Sequence, residues 1–405
     1  MQEIREVLGG HDVTPQMRSA PSVALHRPPN REEKLEQLAQ SAQFDLCGEC
    51  GKANRTRGVG RWIYPAALPD GGRVRLLKTL MTNECRNNCK YCGLRCSRDV
   101  RRSSYGPAEL ARTFMEMNRA RLVSGLFLSS SVPDEPDRTM ARMVDTAVLL
   151  RRQYGFNGYI HLKVLPGASL DAIEAAARVA DRVSVNLEAP DAERLRVLSP
   201  DKDWQADLRR RMDWVGDVVA DPRFRARSHT TQFVVGAACE SDRDLMRCVT
   251  DCYGKAGMWR AYFSAYQPPD PDALPSRDQS DLLTREHRLY QADWLIRKYG
   301  FAFDEVPFDD SGRLDMERDP KQVWADLHPE FFPVEVNSAD RTSLLRVPGV
   351  GPTSVKRILK LRTESPFRRP AELKHVGVVT KRATPYLLMS GRSFAPRGTQ
   401  LTIWG

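Results

Sequence analysis

The sequence lacks any run of eighteen uninterrupted apolar residues, which is about the length that a membrane-spanning helix needs. Its first thirty residues are polar, contain proline, and lack the apolar core of a secretory signal peptide. We therefore expect neither a membrane span nor a signal peptide, and we expect the protein to be cytoplasmic.

Acidic residues are scarce near the C-terminus. Residues 337–405 hold thirteen Lys and Arg against three Asp and Glu, a surplus of ten that equals the net charge of the whole 405-residue chain. The first 336 residues are therefore balanced. A positive C-terminal unit attracts polyanions, most often nucleic acid; a solvated basic surface without a partner is the alternative.

Short β-rich runs alternate with long helical stretches, which is typical of βαβ units and a parallel sheet. The candidate strands are residues 74–82, 125–130, 158–165, 182–188, 230–237 and 259–266. Helical apolar spacing marks residues 31–42, 107–122, 139–154, 169–180 and 284–300. Six βα repeats predict an α/β fold, either an open barrel or a doubly wound sheet.

Three cysteines, Cys85, Cys89 and Cys92, form a C-x3-C-x2-C motif on the loop that leaves the first predicted strand. Soft thiolates are the ligands of iron–sulfur clusters, and three of them leave one iron of a 4Fe-4S cubane open to a small-molecule chelator. A closed zinc or redox-inert site with Cys96 as fourth ligand is the alternative. The upstream pair Cys47 and Cys50 receives no role.

This spacing, its place after the first strand, and Tyr91 before the third cysteine resemble the radical S-adenosylmethionine (SAM) superfamily. The resemblance implies a partial (βα)6 barrel and a 4Fe-4S cluster whose open iron is chelated by the amino and carboxylate groups of SAM. It also implies reductive cleavage of SAM to a 5'-deoxyadenosyl radical, with the electron supplied by a donor such as flavodoxin or ferredoxin.

Residues near the carboxyl ends of the strands are candidates for binding SAM, because loops converge there in parallel α/β sheets. Ser129 and Ser130 follow the second strand, where the family often has a Gly-Gly-Glu-like stretch, and their hydroxyls can accept from an ammonium group. Asn186 and Glu188 share one face of the fourth strand. The candidate cofactor-binding residues are Tyr91, Ser129, Ser130, Lys163, Asn186, Glu188 and Gly236.

The sequence gives additional support for two of these cofactor-binding candidates, Lys163 and Gly236. Lys163 shares one face of the third strand with His161, and a buried pair of this kind favours a binding crevice, although a satisfied core contact is the alternative. Gly236 lies in VVGAACESD, which resembles the glycine-containing loop that packs near adenine in the family.

The C-terminal region contains a Pro-Gly-Val-Gly turn between two helical stretches. We expect Asn337 to cap a helix that ends near Arg346, and the turn to lead into a second helix. Gly349 and Gly351 permit close backbone approach, and the amides that begin the second helix can donate to a phosphate. Lys356 adds a positive charge nearby.

A weaker copy of this turn follows at residues 376–378, with Lys381 and Arg382 after it. The segment resembles the helix-hairpin-helix DNA-binding domains of competence and repair proteins, which hold the backbone of the minor groove without sequence specificity. Protein contact or internal packing is the alternative use of the motif.

Over nearly its full length the sequence resembles the DNA modification/repair radical SAM proteins that carry a C-terminal helix-hairpin-helix domain. The segments LLKTLMTNEC, NGYIHLKVLPGAS and LLTREHRLYQADWL and residues 337–362 carry this resemblance. It implies a radical SAM enzyme that acts on DNA, in repair or modification, through an unassigned reaction. Action on RNA or on a nucleotide-linked small molecule is one alternative, and a non-catalytic iron–sulfur DNA-binding protein is another.

The expected organisation has five parts. Residues 1–30 form a mobile leader and residues 31–73 an N-terminal extension of helix and loop. Residues 74–300 form the radical SAM α/β barrel, residues 301–333 a linker, and residues 334–405 a small all-α helix-hairpin-helix module that binds nucleic acid.

Overall fold

The computed structural model describes residues 29–42, 63–67, 72–255, 258–270, 274 and 279–394. Nearly all of the expected leader, together with Cys47 and Cys50, lies outside the described residues. Among the described helices, none combines the length and the apolar composition that crossing a membrane requires.

Seven strands form the main sheet. They are β1 (Ile63–Ala67), β2 (Arg73–Leu80), β3 (Gly125–Ser129), β4 (Tyr159–Lys163), β5 (Arg182–Ser184), β6 (His229–Val235) and β7 (Arg260–Ala265). The strands lie side by side in chain order; β1 is antiparallel to β2, and β2 to β7 are parallel. All six strands predicted from the sequence are present, and β1 is an additional edge strand.

Helices connect these strands. They are α1 (Arg31–Ser41), α2 (Pro107–Arg119), α3 (Pro136–Val148), α4 (Leu170–Val179), α5 (Ala192–Leu198), α6 (Arg210–Ala220), α7 (Asp242–Lys255) and α8 (Gln279–Tyr299). A π-helical turn at Leu149–Gln153 extends α3, and another at Trp204–Arg209 precedes α6.

Alternate residues of the parallel strands point to opposite sides of the sheet. Leu77 and Leu126 are register partners, are fully buried, and belong to the apolar core that also contains the helices. Their chain neighbours Lys78 and Phe127 are also register partners and line a cavity together with Tyr64 of β1 and Tyr262 of β7. Because residues from both edge strands line one cavity, the sheet is curled into a half-barrel, as predicted.

The C-terminal part has its own core. Its helices are α9 (Pro320–Leu327), α10 (Arg341–Arg346), α11 (Pro352–Leu361), α12 (Pro370–His375) and α13 (Thr380–Ala383). Three short strands, β8 (Val334–Glu335), β9 (Leu387–Met389) and β10 (Arg392–Ser393), form a sheet in the order β10-β9-β8. The helix-hairpin-helix part is helical as predicted, and the small sheet is an addition to the all-α prediction.

The stretch 301–333, which we expected to be a linker, carries side chains of this second core. Phe301, Trp324 and Phe332 are buried there together with Leu295 of α8. Trp324 meets Phe301 edge to face, with ring centroids 5.4 Å apart. This stretch therefore packs with both α8 and the C-terminal helices, and the domain boundaries stay a prediction.

One predicted helix cap is replaced by another residue. Asp340, not Asn337, caps α10, and its carboxylate accepts from the Ser343 backbone N–H at 2.6 Å. Asn337 lies outside the helix, where its amide accepts from the Phe367 N–H at 2.7 Å and donates to the Phe367 carbonyl at 3.0 Å. Asn337 therefore joins two segments of the unit, a long-range contact that sequence spacing does not reveal.

Candidate cluster and cofactor site

An open cavity of about 840 Å³ lies at the carboxyl ends of β2 to β5. Cys85, Cys89 and Cys92 all line it. Six of the seven predicted cofactor-binding residues line the same cavity: Tyr91, Ser129, Ser130, Lys163, Asn186 and Glu188. Residues from four separate strand ends and from the cysteine loop are thus brought together.

The cysteine loop is held from one side by a single arginine. The guanidinium of Arg102 donates to the carbonyls of Asn83 at 2.5 Å, Leu94 at 2.8 Å, Arg95 at 2.9 Å and Arg98 at 2.9 Å. A guanidinium presents five donors in a fixed planar arrangement, so one side chain can fix several backbone segments. Arg102 therefore fixes both ends of the loop that contains the cysteines.

The opposite side of the loop packs on the C-terminus of α5. The Cys89 thiol is buried, and its Sγ lies 3.1 Å from the hydroxyl oxygen of Ser199, which is fully buried. The Lys90 N–H donates to the Leu198 carbonyl at 2.8 Å. Cys89 consequently has a fixed position, while Cys85 and Cys92 are half-buried.

Lys202 supplies positive charge beside the cysteines. Its ammonium donates to the Tyr91 hydroxyl at 3.1 Å. Burial alone would lower the pKa of Lys202, but the negative charges of Cys89 and Glu188 outweigh it and raise that pKa. Burial, with the charge of Cys89, raises the pKa of the Cys92 thiol to about 12. Binding of iron at Cys92 must therefore displace a proton.

The sequence did not point to Lys202. It lies between two aspartates in the stretch SPDKDW, a pattern typical of an exposed loop. Only the folded chain shows that α5 brings this loop to the cysteines.

The three cysteines fit a 4Fe-4S cluster. Cysteine ligands of a cubane bind different iron atoms, so three thiols around one cavity are a suitable set, and a nearby ammonium compensates the negative charge of thiolates. In the described part of the chain no three His, Cys, Asp or Glu side chains converge on one point as they would around a single ion. Cys96 is exposed and is not among the residues that line the cavity.

The serines after β3 offer acceptors to the cavity. Ser129 is 2% exposed, and its carbonyl accepts from the Met81 N–H at 2.8 Å, which fixes the end of β3 against β2. The Ser130 hydroxyl donates to the Ser131 carbonyl at 2.7 Å, so its oxygen lone pairs stay able to accept. These groups suit an ammonium group better than an anion.

Glu188 is held in an unusual backbone conformation. Its φ of 63° lies in the left-handed region, which residues with a Cβ rarely adopt. Two backbone bonds to β6 maintain it: the Glu188 N–H donates to the Gln232 carbonyl at 3.0 Å, and its carbonyl accepts from the Val234 N–H at 2.9 Å. The conformation aims a buried carboxylate at the cavity, and such strain clusters at functional sites.

Gly236, the seventh predicted residue, is not among the residues that line this cavity. Its φ is +93°, and a Cβ there would lie 2.2 Å from Cδ2 of Leu282 in α8. Its N–H donates to Oε1 of Glu240 at 2.6 Å. The left-handed backbone conformation is therefore enough to favour glycine at this position, and a contact with adenine stays a prediction.

The two glycine turns of the C-terminal unit lie side by side. The Val379 N–H donates to the Gly349 carbonyl at 2.9 Å, and a Cβ on Gly349 would lie only 2.7 Å from the Val379 carbonyl oxygen. Gly349 and Gly377 both have positive φ, +80° and +90°. Gly351, with φ of −109°, precedes α11, whose N-terminus has no side-chain cap.

The predicted basic residues of this unit differ in their surroundings. Lys356 on α11 and Lys381 on α13 are exposed. Arg382 is also exposed, but its guanidinium forms an ion pair with Asp319 at the start of α9. Lys321 donates to the Val350 carbonyl at 2.6 Å, so α9 supports the first turn from behind. Of these three predicted residues, Lys356 and Lys381 are thus better placed than Arg382 to meet a polyanion.

Comparison with known proteins agrees with this geometry. Residues 79–215 match the family model described as the radical SAM superfamily, and residues 331–384 match the helix-hairpin-helix motif. No curated protein matches the chain.

Several solved structures are similar. HydG, a maturase of the [FeFe]-hydrogenase, is 15% identical with a TM-score of 0.41 over 53% of this chain and 49% of HydG. Methylornithine synthase (PylB) is 12% identical with a TM-score of 0.42 over 63% of this chain and 68% of PylB. TsrM from Kitasatospora setae, with cobalamin and a [4Fe-4S] cluster bound, is 14% identical with a TM-score of 0.34 over 46% of this chain and 34% of TsrM. The chain spans about half the length of HydG.

The match at residues 79–215 contains the cysteine loop and all six cavity-lining cofactor candidates. The chain therefore contains a radical SAM domain followed by a helix-hairpin-helix motif, and the cofactors of the radical SAM superfamily are a 4Fe-4S cluster and SAM.

Proposed function

We propose that this radical SAM enzyme acts on DNA, in repair or modification, and holds the duplex through its helix-hairpin-helix unit. The observation that carries the proposal is the pairing of the two glycine turns beside the uncapped N-terminus of α11, with Lys356 and Lys381 exposed. Free amides at a helix N-terminus and flexible ammonium groups bind phosphates without regard to base sequence.

Within the barrel, Cys85, Cys89 and Cys92 would hold the cluster, and Ser129, Ser130 and Glu188 would orient the methionyl group of SAM. A 4Fe-4S cluster bound there would supply one electron for the reductive cleavage of SAM, whose products would be methionine and a 5'-deoxyadenosyl radical that can abstract hydrogen from unactivated carbon. A flavodoxin or ferredoxin is the proposed source of that electron.

The position of the cluster cavity at the strand ends favours damaged DNA over intact duplex. A base must leave the stack to reach the strand ends, which costs a few kcal/mol for a paired base and least for a damaged one. Repair therefore requires less distortion than modification of intact duplex.

DNA binding is tested with the full-length protein by fluorescence anisotropy across a series of salt concentrations. Each phosphate contact contributes about 0.9 to the slope of log affinity against log salt. The double variant Lys356→Ala with Lys381→Ala should lower that slope by about 2. The control Arg392→Ala removes another exposed charge, from β10, and should leave the slope unchanged. Equal slopes for all three proteins would remove the support for this binding surface.

The reaction itself is tested with reconstituted protein, SAM and a strong reductant under anaerobic conditions. We expect irradiated duplex DNA to stimulate release of 5'-deoxyadenosine more than intact duplex does. Stimulation by RNA alone would favour an RNA substrate, and bound SAM that is never cleaved would favour a non-catalytic iron–sulfur protein.

A further inference from the structure

A second cavity, of about 760 Å³, fills the lumen of the half-barrel. It shares Lys163 and Asn186 with the cluster cavity, so the two adjoin at the ends of β4 and β5. Four aromatic side chains line its wall: Tyr64, Phe127, Tyr159 and Tyr262. Among the described residues that line it there is no Asp or Glu.

A row of basic and aromatic side chains crosses this lumen. Lys78, Phe127, His161 and Arg182 are successive register partners on β2, β3, β4 and β5. The Lys78 ammonium lies 4.8 Å from the Phe127 ring centroid, and the His161 ring meets Phe127 edge to face at 4.6 Å. Lys78, His161 and Arg182 are 8%, 7% and 4% exposed, so the row is buried.

Arg182 has a hydrogen-bond donor for which no described residue supplies an acceptor. Its Nε donates to the Ser228 hydroxyl at 2.9 Å, and its guanidinium lies 5.9 Å from the centroid of the Tyr159 ring. Its Nη2 atom is buried and has no partner within the described part of the chain. Leaving a charged donor buried and unsatisfied is costly, so this atom needs an acceptor.

The neighbouring histidine, His161, is buried beside these positive charges. Burial, followed by the charges of Arg182 and Lys78, holds the pKa of His161 well below its usual range. Its Nε2 lies 2.9 Å from the Ser184 hydroxyl oxygen. His161 is therefore held neutral chiefly because it is buried, and the positive charge of the row comes from Lys78 and Arg182.

The size of a ligand follows from strand geometry. Arg182 and Asn186 lie four residues apart along the chain that leaves β5, or about 13 Å for extended backbone. The Arg182 and Asn186 side chains cover part of this distance, so a ligand that contacts both can be shorter than about 13 Å, but a lone inorganic anion is too small to reach both.

We propose that the lumen binds the anionic end of the substrate, a phosphate or carboxylate attached to a flat ring, with Arg182 as the residue that accepts it. The ring packs among the aromatic side chains of the wall. This inference rests on the proposed function only in placing the substrate in the barrel, and it does not require the substrate to be DNA.

The test compares anionic and neutral ligands of similar shape on reconstituted, SAM-loaded full-length enzyme by isothermal titration calorimetry. Thymidine 5'-monophosphate is paired with thymidine for the phosphate, and orotate with uracil for the carboxylate. We expect at least one anionic member to bind ten-fold or more tightly than its neutral partner, and the pair that discriminates identifies the anionic group.

Arg182→Gln should abolish this discrimination and Arg182→Lys should retain part of it. Arg178→Gln, which removes an exposed arginine of α4, is the matched control. If the wild-type enzyme binds the anionic and the neutral member of both pairs equally tightly, the proposal is overturned, whether or not any Arg182 variant folds. Unchanged discrimination between anionic and neutral ligands in a folded Arg182→Gln protein would also overturn it. Duplex affinity should be the same in wild type and Arg182→Gln, so failure of DNA binding remains distinguishable from failure of this inference.

Discussion

Replacing Gly349 by alanine should open the contact between the two glycine turns. The residue has φ of +80°, and a left-handed conformation costs about 1–2 kcal/mol once a Cβ is present. The new Cβ would also lie 2.7 Å from the Val379 carbonyl oxygen, which is backbone and cannot move aside alone. Overpacking of this kind costs about 1–3 kcal/mol. The two effects together give about 3 kcal/mol, or about a hundredfold in the local opening equilibrium.

Hydrogen exchange measured by mass spectrometry on the full-length protein reports that equilibrium for residues 341–389. Gly351→Ala is the matched control, because its φ of −109° suits any residue and its Cβ would lie 3.5 Å from the Tyr299 hydroxyl, an ordinary contact. We expect exchange in this segment to accelerate in Gly349→Ala only, together with weaker duplex binding. Equal protection in the two variants would show that the close approach at Gly349 does not hold the turns together.

Three further outcomes are expected. Arg102→Ala removes four hydrogen bonds to carbonyls of the cysteine loop and should reduce the iron content after reconstitution at least ten-fold. The control Arg101→Ala should not reduce the iron content. Equal iron content in the two variants would refute the proposal that Arg102 positions the loop. Cys89→Ala should abolish cluster absorbance while duplex binding persists, and a retained cluster spectrum would contradict its assignment as a ligand. Burial lowers the pKa of Lys321 from 10.5 to about 7. Between pH 7 and pH 10.5 the unfolded chain therefore binds more protons at Lys321 than the folded chain does, so the free energy of unfolding rises with pH. Urea titrations should give a free energy of unfolding about 3 kcal/mol higher at pH 9.5 than at pH 7, and Lys321→Met should remove this difference.

Much of the fold could be predicted because its patterns are local. Each parallel strand is a short apolar run between amphipathic helices, and this alternation predicted all six parallel strands. The edge strand β1 was missed since Ile63–Ala67 is short and contains a proline, which weakens a strand pattern. The small sheet of the C-terminal unit was missed for a similar reason, since its strands have two or three residues each.

The candidate site could be predicted where spacing along one strand or loop carries the chemistry. The cysteines lie on one loop, and Asn186 and Glu188 lie near one strand end, so sequence spacing alone groups them. Lys202 and Arg102 reach the cysteine loop only through tertiary packing, and their own surroundings in the sequence resemble those of many surface residues. The buried row in the lumen had a partial indication, since the sequence places the polar residues His161 and Lys163 on one face of β4.

The helix α8 links the two halves of the molecule. Its Tyr290 fixes it to β7 of the barrel. The Tyr290 hydroxyl donates to the Phe263 carbonyl and accepts from the Phe263 N–H, both at 3.0 Å. One turn later Leu295 enters the second core, where Arg346 of α10 stacks 3.7 Å from the Phe301 ring centroid and pairs with Glu305. A continuous helix buried in both cores cannot act as a flexible tether. The glycine turns therefore keep a fixed position relative to the cluster cavity, and under the proposed function a duplex bound by them would itself have to deform to bring its reacting carbon to the strand ends.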